Sequence, residues 1–185
     1  ISYNYTDFYR CSATDTKTIT VIAPGSISVG SDLTVCVTAP VINLAASVFP
    51  TGGSFFGTGL QGTNFNPTLA GVGVHPISYT VVDASGCTTT RIRTITVTAP
   101  PVIDAGPNKV ICISTGLFDL DVGSSVTGGV WSGTAVSGSF FNPQVAGLGT
   151  HVISYLYDNG VGCISTDSKT LTVRPDAVVD AGINQ

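Results

Sequence analysis

The sequence contains no Met and no Glu; its eleven acids are all Asp, set against seven Lys plus Arg and two His. Helices draw on Glu, Lys, Met, Leu and Ala, so this composition excludes any sizeable helix. Two His, no Glu and no clustered acids leave no way to assemble a nucleophile, a base and a group to orient it, and the chain is read as a non-enzyme. Seven scattered cations make no footprint for nucleic acid. No apolar run approaches the ~20 residues of a membrane helix, so no span is expected. Charge is scarce, at 10% of residues, but 43% are hydrophobic, which excludes a disordered chain.

What is abundant is strand and turn material. Thr occurs 25 times, Gly 22 times and Pro 10 times in 185 residues. The segments repeat. Ile1-Ser2-Tyr3 returns as Ile77-Ser78-Tyr79 and as Ile153-Ser154-Tyr155, at steps of 76 residues. Cys11, Cys87 and Cys163 keep that step, as do Cys36 and Cys112, Gly52-Gly53 and Gly128-Gly129, Asn66-Pro67 and Asn142-Pro143, and His75 and His151. No gap is needed. The repeat divides the chain into a C-terminal hairpin of a preceding repeat (1–24), two whole repeats (25–100 and 101–176) and the first strand of a following repeat (177–185). Pro marks the joins at Ala23-Pro24, Ala99-Pro100-Pro101 and Arg174-Pro175. The chain opens in mid-pattern at Ile1, without a basic-then-apolar leader, and is expected to be a window on a longer one. Linkers this short predict touching neighbours and a stiff array.

Within a repeat, the end is the most legible part. Ile153 to Tyr157 alternate in polarity, Asp158 to Gly162 make a turn, and Leu171 and Val173 alternate with Thr170 and Thr172. That is a hairpin with one buried face. The stretch Leu117 to Asp121 and its counterpart Val41 to Ala45 alternate too, which turns Phe118, Leu120, Ile42 and Leu44 inward and sends Asp119 and Asp121 to solvent. Val130 to Ser132 and Gly138 to Phe141 supply two short strands, and Val102 to Ile113 an edge strand broken at Gly106-Pro107. About seven short strands with frequent turns predict a small all-β Greek-key sandwich of immunoglobulin type. Trp131, or Phe55 in the other repeat, is its large buried ring. Tyr155 and Tyr79 take the place of a corner tyrosine.

The motifs carry a resemblance. Val102 to Asn108 read Val-Ile-Asp-Ala-Gly-Pro-Asn, followed by Val110-Ile111-Cys112, Gly128 to Thr134, Phe141-Asn142-Pro143, Ala146 to His151 and Gly162-Cys163. Together they resemble the tandem immunoglobulin-like, PKD-like repeats of very large Bacteroidetes surface adhesins, with the SprB family of gliding-motility adhesins nearest. The resemblance covers the whole chain. It implies type IX secretion, an outer-membrane-anchored extracellular filament, and adhesion during gliding, with surface polysaccharide or other filament subunits as partners. The first repeat departs from the pattern, with Ser28 and Val29 where the second has Asp104 and Ala105. A different class of function is an accessory or carbohydrate-binding module of a secreted hydrolase.

His75 and His151 are each alone in a repeat and cannot share a metal. Calcium at the joins, with Asp32, Asp83, Asp104 and Asp158 as candidates, wants six to eight oxygens, and no Asp-x-Asp-x-Asp spacing supplies them. No cofactor is expected. A lysine isopeptide staple fails because Lys17, Arg93 and Lys169 share one position, so the first whole repeat lacks the lysine, and no Glu is present. Asn4-Tyr5-Thr6 forms an isolated sequon.

Two in-phase cysteines per repeat read as half-cystines in a secreted chain, against the alternative of free thiols. Pairing within a repeat, Cys36 to Cys87 or Cys112 to Cys163, would join opposite poles of a sandwich, about 15–20 Å or more apart, whereas bonded Cα atoms lie within about 7 Å. In a head-to-tail array the pole carrying Cys36 meets the pole carrying Cys163. The expected bond is therefore Cys36 to Cys163, with partners of Cys11, Cys87 and Cys112 outside the chain.

Overall fold

The computed structural model describes residues 1–23, 25–180 and 182. Its strands are β1 (Ser2–Thr6), β2 (Ser12–Thr16), β3 (Leu33–Cys36), β4 (Ile42–Asn43), β5 (Ser54–Phe56), β6 (Leu60–Gln61), β7 (Asn64–Phe65), β8 (Gly73–Val82), β9 (Thr88–Thr98), β10 (Lys109–Cys112), β11 (Phe118–Asp119), β12 (Val130–Ser132), β13 (Val136–Ser137), β14 (Phe140–Phe141), β15 (Gly149–Asp158) and β16 (Ile164–Arg174). The fold is all-β. Among the described residues the two α-helices, α1 (Pro67–Ala70) and α2 (Pro143–Ala146), are single turns, and Ala45–Ser47 form a short 3-10 turn. Asn66 and Asn142 cap them by accepting two backbone N–H bonds each, and Pro supplies the first helical residue. The Asn-Pro pairs that mark the repeat are thus helix starts.

The same pair of sheets is built twice. Strands β3-β9-β8-β5 form one four-stranded sheet, and β4-β7-β6 the three-stranded sheet opposite it. Strands β10-β16-β15-β12 and β11-β14-β13 repeat that order. In both cases the first strand runs parallel to the last, and all other pairs are antiparallel. The long hairpins β8–β9 and β15–β16 keep one register: Ser78 faces Ile92 and Ser154 faces Ser168. Ser2 faces Thr16 in the same way in β1–β2. That last hairpin pairs only with itself, and all ten of its strand residues are exposed.

Period-2 alternation decides what is buried. One core holds Val35, Leu44, Phe65, Ile77, Ile95 and Val97; the other holds Ile111, Leu120, Phe141, Ile153, Leu171 and Val173 at the matching positions. Tyr79 and Tyr155 are also buried. Trp131 is 6% exposed and stacks on Tyr155 with ring centroids 4.3 Å apart, while half-buried Phe55 meets Tyr79 at 4.6 Å. Ile42 and Phe118 are half-buried and pack on these cores.

Three expectations need correction. Asp119 and Asp121 do not alternate out to solvent. Strand β11 ends at Asp119, the chain turns, and half-buried Asp121 accepts the Trp131 indole N–H at 2.7 Å. The segment Val102 to Asn108 is not a strand: its N–H groups bond side chains instead, Asp104 N to Ser125 and Ala105 N to Asp167. The third concerns the opening of a following repeat: residues 177–180 form no strand, and 181 and 183–185 lie outside the described residues, as does the boundary residue Pro24.

Candidate functional site

The feature that joins the two sandwiches is a disulfide. Cys36 ends β3, and Cys163 ends the turn between β15 and β16 of the other sandwich. Their sulfurs are 2.08 Å apart and their Cα atoms 5.0 Å, at a sequence separation of 127. Both residues are fully buried.

Local chemistry sets each half. On the turn side, the Asn159 side chain accepts from Cys163 N–H at 3.2 Å, while Asn159 N–H donates to the Cys163 carbonyl. Gly160 and Gly162 supply the positive φ angles that the turn requires, +83° and +81°. The same device recurs at the other hairpins. Asp83 holds Cys87 N–H at 2.9 Å and Asp7 holds Cys11 N–H at 2.8 Å, each four residues before its cysteine. On the strand side, Cys36 faces Thr98 across the parallel ladder. The Thr38 hydroxyl donates to Cys36 Sγ at 3.3 Å, and Thr98 Oγ1 lies 3.5 Å from Cys163 Sγ. Threonines thus line the buried bond.

The linker is pinned beside the bond. The Ser165 hydroxyl donates to the Pro101 carbonyl, and Ala105 N–H donates to Asp167 at 2.7 Å. The Ala105 and Ser168 N–H groups hold the Asp167 carboxyl below its ordinary range.

Pairing within a repeat is not made. In the second sandwich Cys112 faces Arg174, at the far end of β16 from Cys163. Eleven residues of strand separate those ends, about 36 Å at strand rise. Cys11, Cys87 and Cys112 carry no bond.

The remaining candidates are placed as structural groups. His75 and His151 bond the carbonyls of Gly71 and Gly147, just past the one-turn helices, at 2.9 and 3.0 Å. Asp32 accepts from Thr94 N–H, Asp83 from Ser85 and Cys87 N–H, Asp104 from Gly106 N–H and Asp158 from Gly160 N–H. Among the described residues no three His, Cys or Asp side chains converge as a metal set would. Among the described residues no helix is long and apolar enough to cross a membrane. The unforeseen site is Lys169, 2% exposed, whose ammonium donates to the Leu120 carbonyl and lies 4.5 Å from the centre of the Trp131 ring. Burial pushes its pKa down, partly offset by Asp121, Asp119 and Asp104. Its signal was in the sequence, since it shares the inward parity of Leu171 and Val173. No family model matches the chain, and no curated protein matches it.

Proposed function

We propose that this chain is a stalk segment of a long extracellular bacterial filament, in which sandwich repeats act as spacer and reach for an adhesive function. The observation that carries the reading is the Cys36–Cys163 bond, which locks one sandwich to the next across a short linker. A disulfide of this span belongs to an oxidising compartment outside the cytoplasm. Within the described residues, His and Asp side chains serve turns, caps and an indole rather than a reaction centre. The resemblance to Bacteroidetes adhesin repeats supplies the more specific part, surface adhesion during gliding, with type IX export. Single-particle imaging of a chain of many repeats tests the reading. Straight rods with a fixed domain spacing are expected. Globules on floppy strings would overturn it, and a catalytic domain flanked by two or three repeats in the parent protein would replace the filament with a secreted hydrolase.

A further inference from the structure

Cys112 stands in the second sandwich where Cys36 stands in the first. Each ends its strand, and each faces a residue at the end of the last strand, Thr98 for Cys36 and Arg174 for Cys112. Cys36 is bonded and buried, whereas Cys112 is exposed and unbonded. At the opposite end, Cys87 is held in its turn as Cys163 is, and borders a small cleft lined by Ile27, Pro50, Val81 and Thr89. The chain therefore presents an unfilled copy of each half of the joint it makes internally.

We propose that Cys112 is the docking and bonding point for the hairpin-turn cysteine of a further sandwich of this same kind, and that the overlapping bonds carry tension past the folded units. This rests on the stalk reading and deepens it. The bond forms by exchange with a disulfide-bearing oxidant, such as an oxidised thiol oxidoreductase. The Cys112 thiolate attacks the oxidant's disulfide and forms a mixed disulfide. The incoming hairpin-turn thiolate then attacks Cys112 Sγ and expels the oxidant's sulfur. Two electrons and the two thiol protons end on the oxidant as its dithiol.

The consequence lies in the spacing. A hairpin-turn cysteine and the next early cysteine are 25 residues apart, at Cys11 to Cys36 and at Cys87 to Cys112. In an array bonded throughout, tension crosses one bond, runs along 25 residues and crosses the next bond, one such stretch for every two 76-residue repeats. Fully extended, 25 residues reach about 85–90 Å. Two sandwiches laid end to end, each as long as an eleven-residue strand such as β9 or β16, already span about 70 Å. Unfolding every sandwich would lengthen such a path by only about 20 Å per pair. Successive bonds also overlap, so a backbone cut between residues 37 and 162 leaves the chain in one piece.

The test appends a second copy of residues 101–176, in phase, after residue 176, with Cys112→Ser in the appended copy so that only one Cys112 is present, and Val161→Ile in the appended turn as a mass mark. The oxidised chain is pulled from its ends, with and without Cys36→Ser. If Cys112 is bonded to the appended hairpin-turn cysteine, the taut path crosses the first bond, runs back 51 residues from Cys163 to Cys112 and crosses the second, so Cys36→Ser, which forces it along the 76 residues from Cys36 to Cys112, releases only about 80–90 Å more. Cys36→Ser with Cys112→Ser then releases about 420–460 Å more, the length of 127 further residues. If Cys36→Ser alone releases that extra length, Cys112 is unbonded and the proposal fails. Non-reducing peptide mapping of the unsubstituted chain reads the pairing directly and does not depend on how the variants fold. A Cys112 peptide joined to the marked turn supports the proposal, and a free Cys112, or one joined to the unmarked Cys163, overturns it. Failure here leaves the imaging test of the stalk untouched.

Discussion

Replacing Tyr155 with Phe removes one oxygen and no volume from the second core. That hydroxyl donates to the Val126 carbonyl at 2.8 Å and accepts from Gly129 N–H at 2.8 Å. It thereby ties the loop before β12 to the sheet. The loop runs so close that a Cβ on Gly129 would lie 2.5 Å from the ring's Cζ and from the Leu156 carbonyl. Tyr155→Phe loses two hydrogen bonds at about 0.5–1.5 kcal/mol each and leaves an N–H and a C=O without partners, for a total of about 2–4 kcal/mol. Trp131 is the chain's single tryptophan and stacks on this ring, so its fluorescence follows the second sandwich alone. With a urea slope of about 1 kcal/mol/M for a domain this small, the fluorescence midpoint should fall by about 2 M or more. The first sandwich supplies a control. The Tyr79 hydroxyl makes the matching bonds, to the Pro50 carbonyl at 2.8 Å and from Gly53 N–H at 2.7 Å. Measured with the disulfide reduced, Tyr79→Phe should weaken the first sandwich by a like amount and leave the tryptophan transition in place. A loss below about 0.5 kcal/mol for Tyr155→Phe would mean that water replaces both bonds, and the corner would not be holding the loop.

Three further outcomes are expected. Lys169 has its folded pKa pushed below 10.5 by burial, so the folded state binds its proton less tightly than the unfolded chain. Its contribution to stability is fully present above pH 10.5 and is lost as pH falls through the folded value. Lys169→Met should abolish that alkaline rise, and parallel urea-midpoint profiles for the two proteins on the alkaline side up to pH 10.5 would refute it. Asp121→Ala strands the Trp131 N–H and should cost about 1–3 kcal/mol, read from the same fluorescence midpoint; no loss would show that the indole bond contributes nothing. Amides of β1–β2, a two-stranded sheet with no buried face, should exchange near their intrinsic rates, while those of β15–β16 are strongly protected; equal protection would mean that the hairpin is packed against something.

What could be read from the sequence was local or periodic. The hairpins show themselves by alternation around Gly-rich turns, and the 76-residue step aligns residues such as Leu44 with Leu120 that no local pattern connects. Cys36 and Cys163 were legible as partners because the two ends of a sandwich strand lie too far apart to be bonded to each other. What escaped was set by contacts distant in sequence or by early strand endings. Asp121 follows the alternation of Phe118 and Leu120 on paper, but its N–H bonds the Asp119 side chain and the strand stops there. Its partner Trp131 lies on another strand. The Ala105–Asp167 bond joins residues 62 apart with no sequence mark at either end. The helix starts at Asn66-Pro67 and Asn142-Pro143 were legible in principle, since Asn then Pro is a capping signal, but a helix of four residues leaves no periodic trace.

The Cys36–Cys163 bond clamps the two sandwiches together. Peptide mapping of residues 1–185, oxidised and kept from thiol exchange by alkylation in acid, tests it most directly. One joined peptide carrying Cys36 and Cys163 is expected, with Cys11, Cys87 and Cys112 alkylated. A Cys36–Cys87 or Cys112–Cys163 peptide would place the bonds inside single sandwiches and contradict it.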